Sequence, residues 1–157
     1  MKYFDSKAVF SKSGRYRYAV WRTWDLALSN VLFIGLNPST ANAYRDDPTL
    51  RRCVDFAQNW GYGGVCIANL FALCATDPMA LFQARDPVGP ANNDWITKLV
   101  NESGIVVAAW GNLGCYKDRA LKVRKLIAKP CFCLRTNITG EPAHPLYLPK
   151  SLQPKPL

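Results

Sequence analysis

The sequence is short of histidine and of acid. It holds a single histidine, His144, and 11 Asp plus Glu against 20 Lys plus Arg. A Cys/His zinc site therefore has few ligands to draw on, and the six cysteines (Cys53, Cys66, Cys74, Cys115, Cys131, Cys133) contain no C-x-x-C pair. Their one C-x-C lies in the apolar run Cys131-Phe132-Cys133-Leu134, so buried free thiols are expected rather than a disulfide framework, and no metal or cofactor is expected. No apolar stretch reaches the ~18 residues of a membrane span. The start, Met1-Lys2-Tyr3-Phe4-Asp5, lacks the apolar segment of a signal peptide, which predicts a soluble, cytoplasmic protein. A phosphate-binding Gly-x-x-x-x-Gly-Lys loop and a Gly-x-Ser-x-Gly elbow are both missing, which argues against a P-loop nucleotidase and a serine hydrolase.

What is present is a chain of 157 residues, 49% hydrophobic and 12% aromatic, enough for one packed domain across 1–157. A formal net charge of +9 suits a polyanionic partner, because each cation set against a phosphate releases condensed counterions. The same surplus also fits a merely soluble basic surface.

Alternating apolar runs and helical periods predict an α/β fold. Residues 15–22 are rich in aromatic and β-branched types and read as a strand at the sheet edge, within an N-terminal region 1–22. Short continuous apolar runs at 31–34, 65–68, 105–109 and 131–134 read as buried strands. Asp47-Pro48 reads as a helix start, with Leu50, Cys53, Val54 and Phe56-Ala57 at helical spacing and Gly61 as the stop. Further helices are expected over 77–82, 92–100 and 117–128, the last basic, with Ala120, Leu121, Val123, Leu126 and Ile127 on its inner face. The tail after Pro145, and 149–157 above all, reads as irregular. Right-handed βαβ units then give a mainly parallel four-stranded central sheet between helical layers. Ligands bind at the carboxyl ends of such strands. Those ends carry Asn37, Asn69, Trp110-Gly111 and, after the fourth strand, His144.

Gly35-Leu36-Asn37-Pro38-Ser39-Thr40-Ala41 leads from a strand to a helix; it is either a ligand loop or a plain connection. His144 is either incidental or the donor of a hydrogen bond to an oxygen gaining negative charge. Asp47 reads as a helix cap, which leaves Asp46 as the candidate water-activating or cation-stabilising carboxylate. Arg45, Arg51, Lys117 and Arg119 are offered as phosphate contacts, with Arg15, Arg17, Arg22, Arg52 and Arg135 as further candidates.

Gly35-Leu36-Asn37-Pro38, Asn69, Ala109-Trp110-Gly111-Asn112 and His144-Pro145 occur in the order and approximate spacing of the uracil-DNA glycosylase superfamily, which they resemble. The chain also resembles a bacterial and phage family of unknown-function domains. That likeness rests on Asn-Pro-Ser-Thr-Ala, Asp-Asp-Pro-Thr-Leu-Arg-Arg-Cys, Trp-Gly-Tyr-Gly-Gly, Asn-Leu-Phe-Ala, Asp-Pro-Val-Gly-Pro and His-Pro-Leu-Tyr-Leu, and it covers nearly everything from Tyr18 to Leu148. The glycosylase resemblance implies a three-layer sandwich that acts as a monomer on double- or single-stranded DNA. It implies that Asn37 positions the attacking water, that Asn69 reads the edge of a flipped base, and that His144 stabilises the departing base. Tyr44 would stack on the base, within a site also formed by Gly35, Ser39 and Thr40. Leu146 and Tyr147 would wedge into the gap left by the flipped nucleotide. Strict uracil enzymes carry a bulky tyrosine just after the first motif's proline, where this chain has Ser39-Thr40-Ala41. The missing volume implies a larger, modified pyrimidine, such as hydroxymethylated or glucosylated cytosine in phage DNA, with a role in anti-phage defence or base-excision repair. Two alternatives are a non-catalytic binder of modified DNA and a nucleotide or nucleoside hydrolase on the same fold.

Overall fold

A computed structural model describes residues 2–157. In chain order the elements are β1 (Asp5–Phe10), β2 (Arg17–Thr23), β3 (Asn30–Gly35), α1 (Pro48–Asn59), β4 (Gly64–Asn69), the short α2 (Ala80–Gln83), α3 (Asn92–Glu102) and β5 (Ile105–Ala108). A 3-10 segment (Asn112–Asp118), α4 (Arg119–Leu126), β6 (Cys131–Cys133) and β7 (Lys155–Pro156) complete it. The strands form one mixed sheet of seven, ordered β1-β2-β4-β3-β5-β6-β7. The run β4-β3-β5-β6 is parallel, while β1, β2 and β7 join antiparallel.

The alternation of β3 explains the layering. Val31 and Phe33 point to one face and meet Leu50, Cys53, Val54, Phe56 and Ala57 of α1. Leu32 and Ile34 point to the other and meet Ile96, Leu99 and Val100 of α3 and Ala120 and Val123 of α4. A strand covered on both faces needs apolar residues at every position, which is why 31–34 is continuous rather than alternating. Helix α1 starts where Asp47 accepts a hydrogen bond from the Leu50 N–H at 2.8 Å, with Pro48 supplying a preset φ.

Four expectations change. The sheet has seven strands, not four. The strand near 15–22 is β2, which lies inside the sheet; the edge is β1, whose half-exposed residues give no clean pattern. The basic helix begins at Arg119, because Lys117 (φ 55°) and Asp118 (φ 56°) adopt left-handed backbone that interrupts it, and Leu121 on α4 is exposed rather than inward. The tail is not wholly irregular, since Lys155–Pro156 pairs with β6. All six cysteines are free; Cys53, Cys66 and Cys133 are buried, Cys74 and Cys131 half-buried, and Cys115 exposed. Among the described residues no helix is long and apolar enough to cross a membrane.

Candidate active site

Register puts the site together. In the parallel ladder Gly35 pairs with Asn69, and Ile34 sits beside Ala68 and Ala108, so these carboxyl ends are level. A cavity of about 310 Å3 opens at this edge, lined by Gly35, Asn37, Ser39, Asn69 and His144 among others. Five predicted site residues thus meet in one place. Gly35 is required there by close approach: a Cβ on it would lie 2.8 Å from Asn69 Oδ1.

Each side chain is held by its surroundings. The Asn37 amide donates to Ala75 O at 2.9 Å and Pro38 O at 3.2 Å, which commits its NH2 to the backbone and leaves Oδ1 as an acceptor. Asn69 is 4% exposed, and its Nδ2 is buried without a partner. Its strand end is fixed by Asn92, whose amide donates to Asn69 O at 2.9 Å and Leu70 O at 3.1 Å. The loop that delivers His144 is tied to the end of β5: Trp110 Nε1 donates to Glu141 Oε2 at 2.5 Å, and the Gly111 N–H donates to Pro142 O at 2.9 Å. His144 lies exposed at the cavity mouth, where its Nδ1 accepts from the Leu146 N–H at 3.2 Å. Desolvation by the surrounding protein lowers its pKa below the ordinary 6.5, against an opposing pull from Asp47.

Other predicted residues fall elsewhere. Asp46 does not line the cavity; its carboxylate accepts from Arg22 Nε at 2.8 Å and from the Tyr3 hydroxyl at 2.7 Å. Burial, then the Asp46 hydrogen bond, pushes the Tyr3 hydroxyl up to about 12. Tyr44 is 99% exposed and does not line the cavity, and neither does Thr40. Leu146 is half-buried and Tyr147 is exposed with φ 70°, and neither lines the cavity. Arg45, Arg51 and Lys117 are exposed. Arg119 is buried and works inside the fold: its Nε donates to Leu70 O and its Nη2 to Asn93 Oδ1, each at 2.7 Å. Burial pulls its pKa down to about 10. Arg22 is buried as well, donating to Trp21 O at 2.7 Å and Asn42 O at 2.6 Å besides Asp46, so it staples the 42–46 loop to the sheet.

Two charged cavity residues lie outside the sequence-based site. Asp47 lines the cavity and is 8% exposed; Oδ1 caps α1 while Oδ2 has no partner among the described residues. Its cap motif is legible, and only the position of α1 turns the same carboxylate towards the site. Arg17 lines the cavity at 3% exposure, although its sequence context suggests an exposed strand.

Chemically, the cavity offers an acceptor (Asn37 Oδ1), a carboxylate (Asp47), an unpartnered amide donor (Asn69 Nδ2) and an imidazole. That set can hold a polar ring by its edge and keep a water beside a carboxylate. Helices on both faces of the mixed sheet make this a three-layer α/β protein, a class in which the strand-end crevice is the usual place for a ligand. Within that class the chain belongs to the family described as protein of unknown function DUF1643, whose model matches residues 17–146. No curated protein and no solved structure matches the chain.

Proposed function

We propose that the cavity is the base-binding and catalytic site of a DNA glycosylase. The enzyme hydrolyses the N-glycosidic bond of a flipped-out, modified pyrimidine, such as hydroxymethylated or glucosylated cytosine in phage DNA, and leaves an abasic site. Anti-phage defence or base-excision repair is the corresponding role. One observation carries the reading: a buried amide donor without a partner, Asn69 Nδ2, shares a cavity with Asn37, Asp47 and His144. A buried unpaired donor is costly unless a ligand completes it. The resemblance of the Gly35–Asn37, Asn69 and His144-Pro145 motifs to the uracil-DNA glycosylase superfamily adds to it, as does the +9 charge. Exposed Tyr147, held in left-handed backbone three residues after His144, suits a wedge.

In this reading Asn69 Nδ2 donates to an oxygen or ring nitrogen on the base edge. As the C1′–N bond lengthens, its electron pair leaves with the base and positive character builds on the sugar. His144 donates from Nε2 to the base as negative charge develops, and the Asp47 carboxylate faces the positive sugar. Asn37 Oδ1 accepts a hydrogen bond from the attacking water and orients it, and that proton stays on the oxygen. The water oxygen bonds to C1′, and its other proton passes to Asp47 and then to the departed base. The asparagine aligns the water; the proton acceptor is Asp47, rather than the Asp46 expected from sequence.

Alkali cleavage of the resulting abasic sites tests the reading on DNA containing hydroxymethylcytosine, glucosylated hydroxymethylcytosine, uracil or unmodified cytosine. Wild-type protein should cut one of the modified DNAs. Loss of one transition-state donor costs about 2.7–4 kcal/mol, so His144→Ala should slow the reaction by roughly 10²–10³-fold, and Asn37→Ala should also lose activity, with circular dichroism unchanged in both. No strand breakage on any substrate, or wild-type turnover in both variants, would contradict the proposal.

A further inference from the structure

We propose that Arg17 makes the floor of this cavity an anion site, so that the ligand held there carries a negatively charged oxygen group, a carboxylate or a phosphate. The inference deepens the reading above, since it names the chemistry of the substrate for the same cavity. Three arginines are buried, and two of them are bonded through Nε and at least one further nitrogen. Arg22 is paired with Asp46 and bonded to backbone carbonyls, and Arg119 donates to Leu70 O and Asn93. Arg17 is 3% exposed, yet its one side-chain hydrogen bond runs from Nη1 to Ala41 O at 2.9 Å. Its Nε is buried without a partner, Nη2 has none among the described residues, and no carboxylate lies within ion-pair distance. Asp47, the carboxylate of the same cavity, uses Oδ1 on the Leu50 N–H.

The free edge of the guanidinium is therefore its Nε/Nη2 side, two parallel N–H donors at carboxylate or phosphate spacing. A buried cation left half-paired costs stability, and such groups persist where a ligand completes them. Asn69 Nδ2, the other unpartnered buried donor of the cavity, sits on β4, in the same sheet as Arg17 on β2. A ligand that satisfies both is rich in oxygen acceptors and anionic at one point. Two sources share that chemistry: an acid substituent on the pyrimidine ring, or the phosphate of the nucleotide itself.

The test measures binding of cytosine, cytosine 5-carboxylate, cytidine 5′-monophosphate and inorganic phosphate by calorimetry, for wild type, Arg17→Lys and Arg17→Met, with the melting temperature of each protein alone. At least one anionic ligand should bind wild type tenfold or more tighter than cytosine. Preference for the carboxylate or for the phosphates identifies the source. That advantage should vanish in Arg17→Met and be reduced in Arg17→Lys, which keeps charge without the fork. Unliganded Arg17→Met should melt no lower than wild type, whereas an arginine serving only the fold would lower it. Equal affinity for charged and neutral ligands in wild type, or an anion preference surviving in both variants, would overturn the proposal. Should Arg17→Met not fold, Arg17→Lys decides alone: unchanged affinities for the anions overturn it. Base release that ignores Arg17 would defeat this inference and leave the glycosylase reading standing. Arg17-dependent anion binding without any base release would do the reverse.

Discussion

His144 carries its proton on Nε2 when neutral, because Nδ1 is occupied as the acceptor from the Leu146 N–H. Protonating Nδ1 would set two donors against each other, and desolvation adds to the same cost. As the lone histidine, it gives unambiguous imidazole signals in a heteronuclear NMR titration. The expected outcome is an Nε2–H tautomer with a midpoint below 6.5; a midpoint above 6.5 or an Nδ1–H tautomer would contradict the site geometry. The sign for stability follows. With a folded pKa below the unfolded one, the unfolded chain binds more protons as pH falls through 6.5, so His144 opposes folding on the acid side of that value. The exposed ring keeps the effect small. At this scale the sequence is a good guide where strand ends are concerned. Asn37, Asn69 and His144 follow from the rule that loops at the carboxyl ends of parallel strands hold ligands. Arg17 does not follow, because its side chain is buried against the distant loop that carries Ala41, and nothing local to Arg17 records that neighbour.

Helix α1 is the element that decides which aspartate belongs to the site. Asp46 and Asp47 are adjacent in sequence, yet the cap fixes Asp47 at the first turn beside the cavity while Asp46 turns to Arg22 and Tyr3. Asp47→Asn keeps an N-cap oxygen, so it should fold with a melting temperature near wild type while losing at least tenfold in base release. Asp46→Ala should do the opposite. It removes hydrogen bonds to a buried charged group, costing about 1.5–3 kcal/mol of stability, with turnover close to wild type once folded. Paired melting and activity measurements separate the two; loss of turnover in Asp46→Ala with Asp47→Asn fully active would return the catalytic role to Asp46. Elements with strong local signals are legible from sequence: the Asp47-Pro48 cap and the continuous runs of β3, β4, β5 and β6. β1 and β7 are not, since an edge strand needs no clean alternation and a two-residue strand containing proline has almost no local preference.

Across the whole molecule, the parallel strands and the antiparallel β2 bring to one edge residues separated by more than a hundred positions, from Arg17 to His144. The net charge of +9, with Arg45, Arg51 and Lys117 exposed, leaves positive charge at the surface, and the proposed function assigns it to a phosphate backbone. Burial also divides the basic residues into those that can meet such a backbone and those that hold the fold, a division invisible to composition. Arg22 and Arg119 belong to the second group. The central claim is that this cavity releases a base from DNA, and mass spectrometry of the small-molecule fraction tests it most directly. Wild-type protein incubated with several modified phage DNAs should yield one free modified pyrimidine, and Asn37→Ala and His144→Ala should yield little or none. No free base from any of these DNAs, with the protein folded and bound to them, would contradict the account.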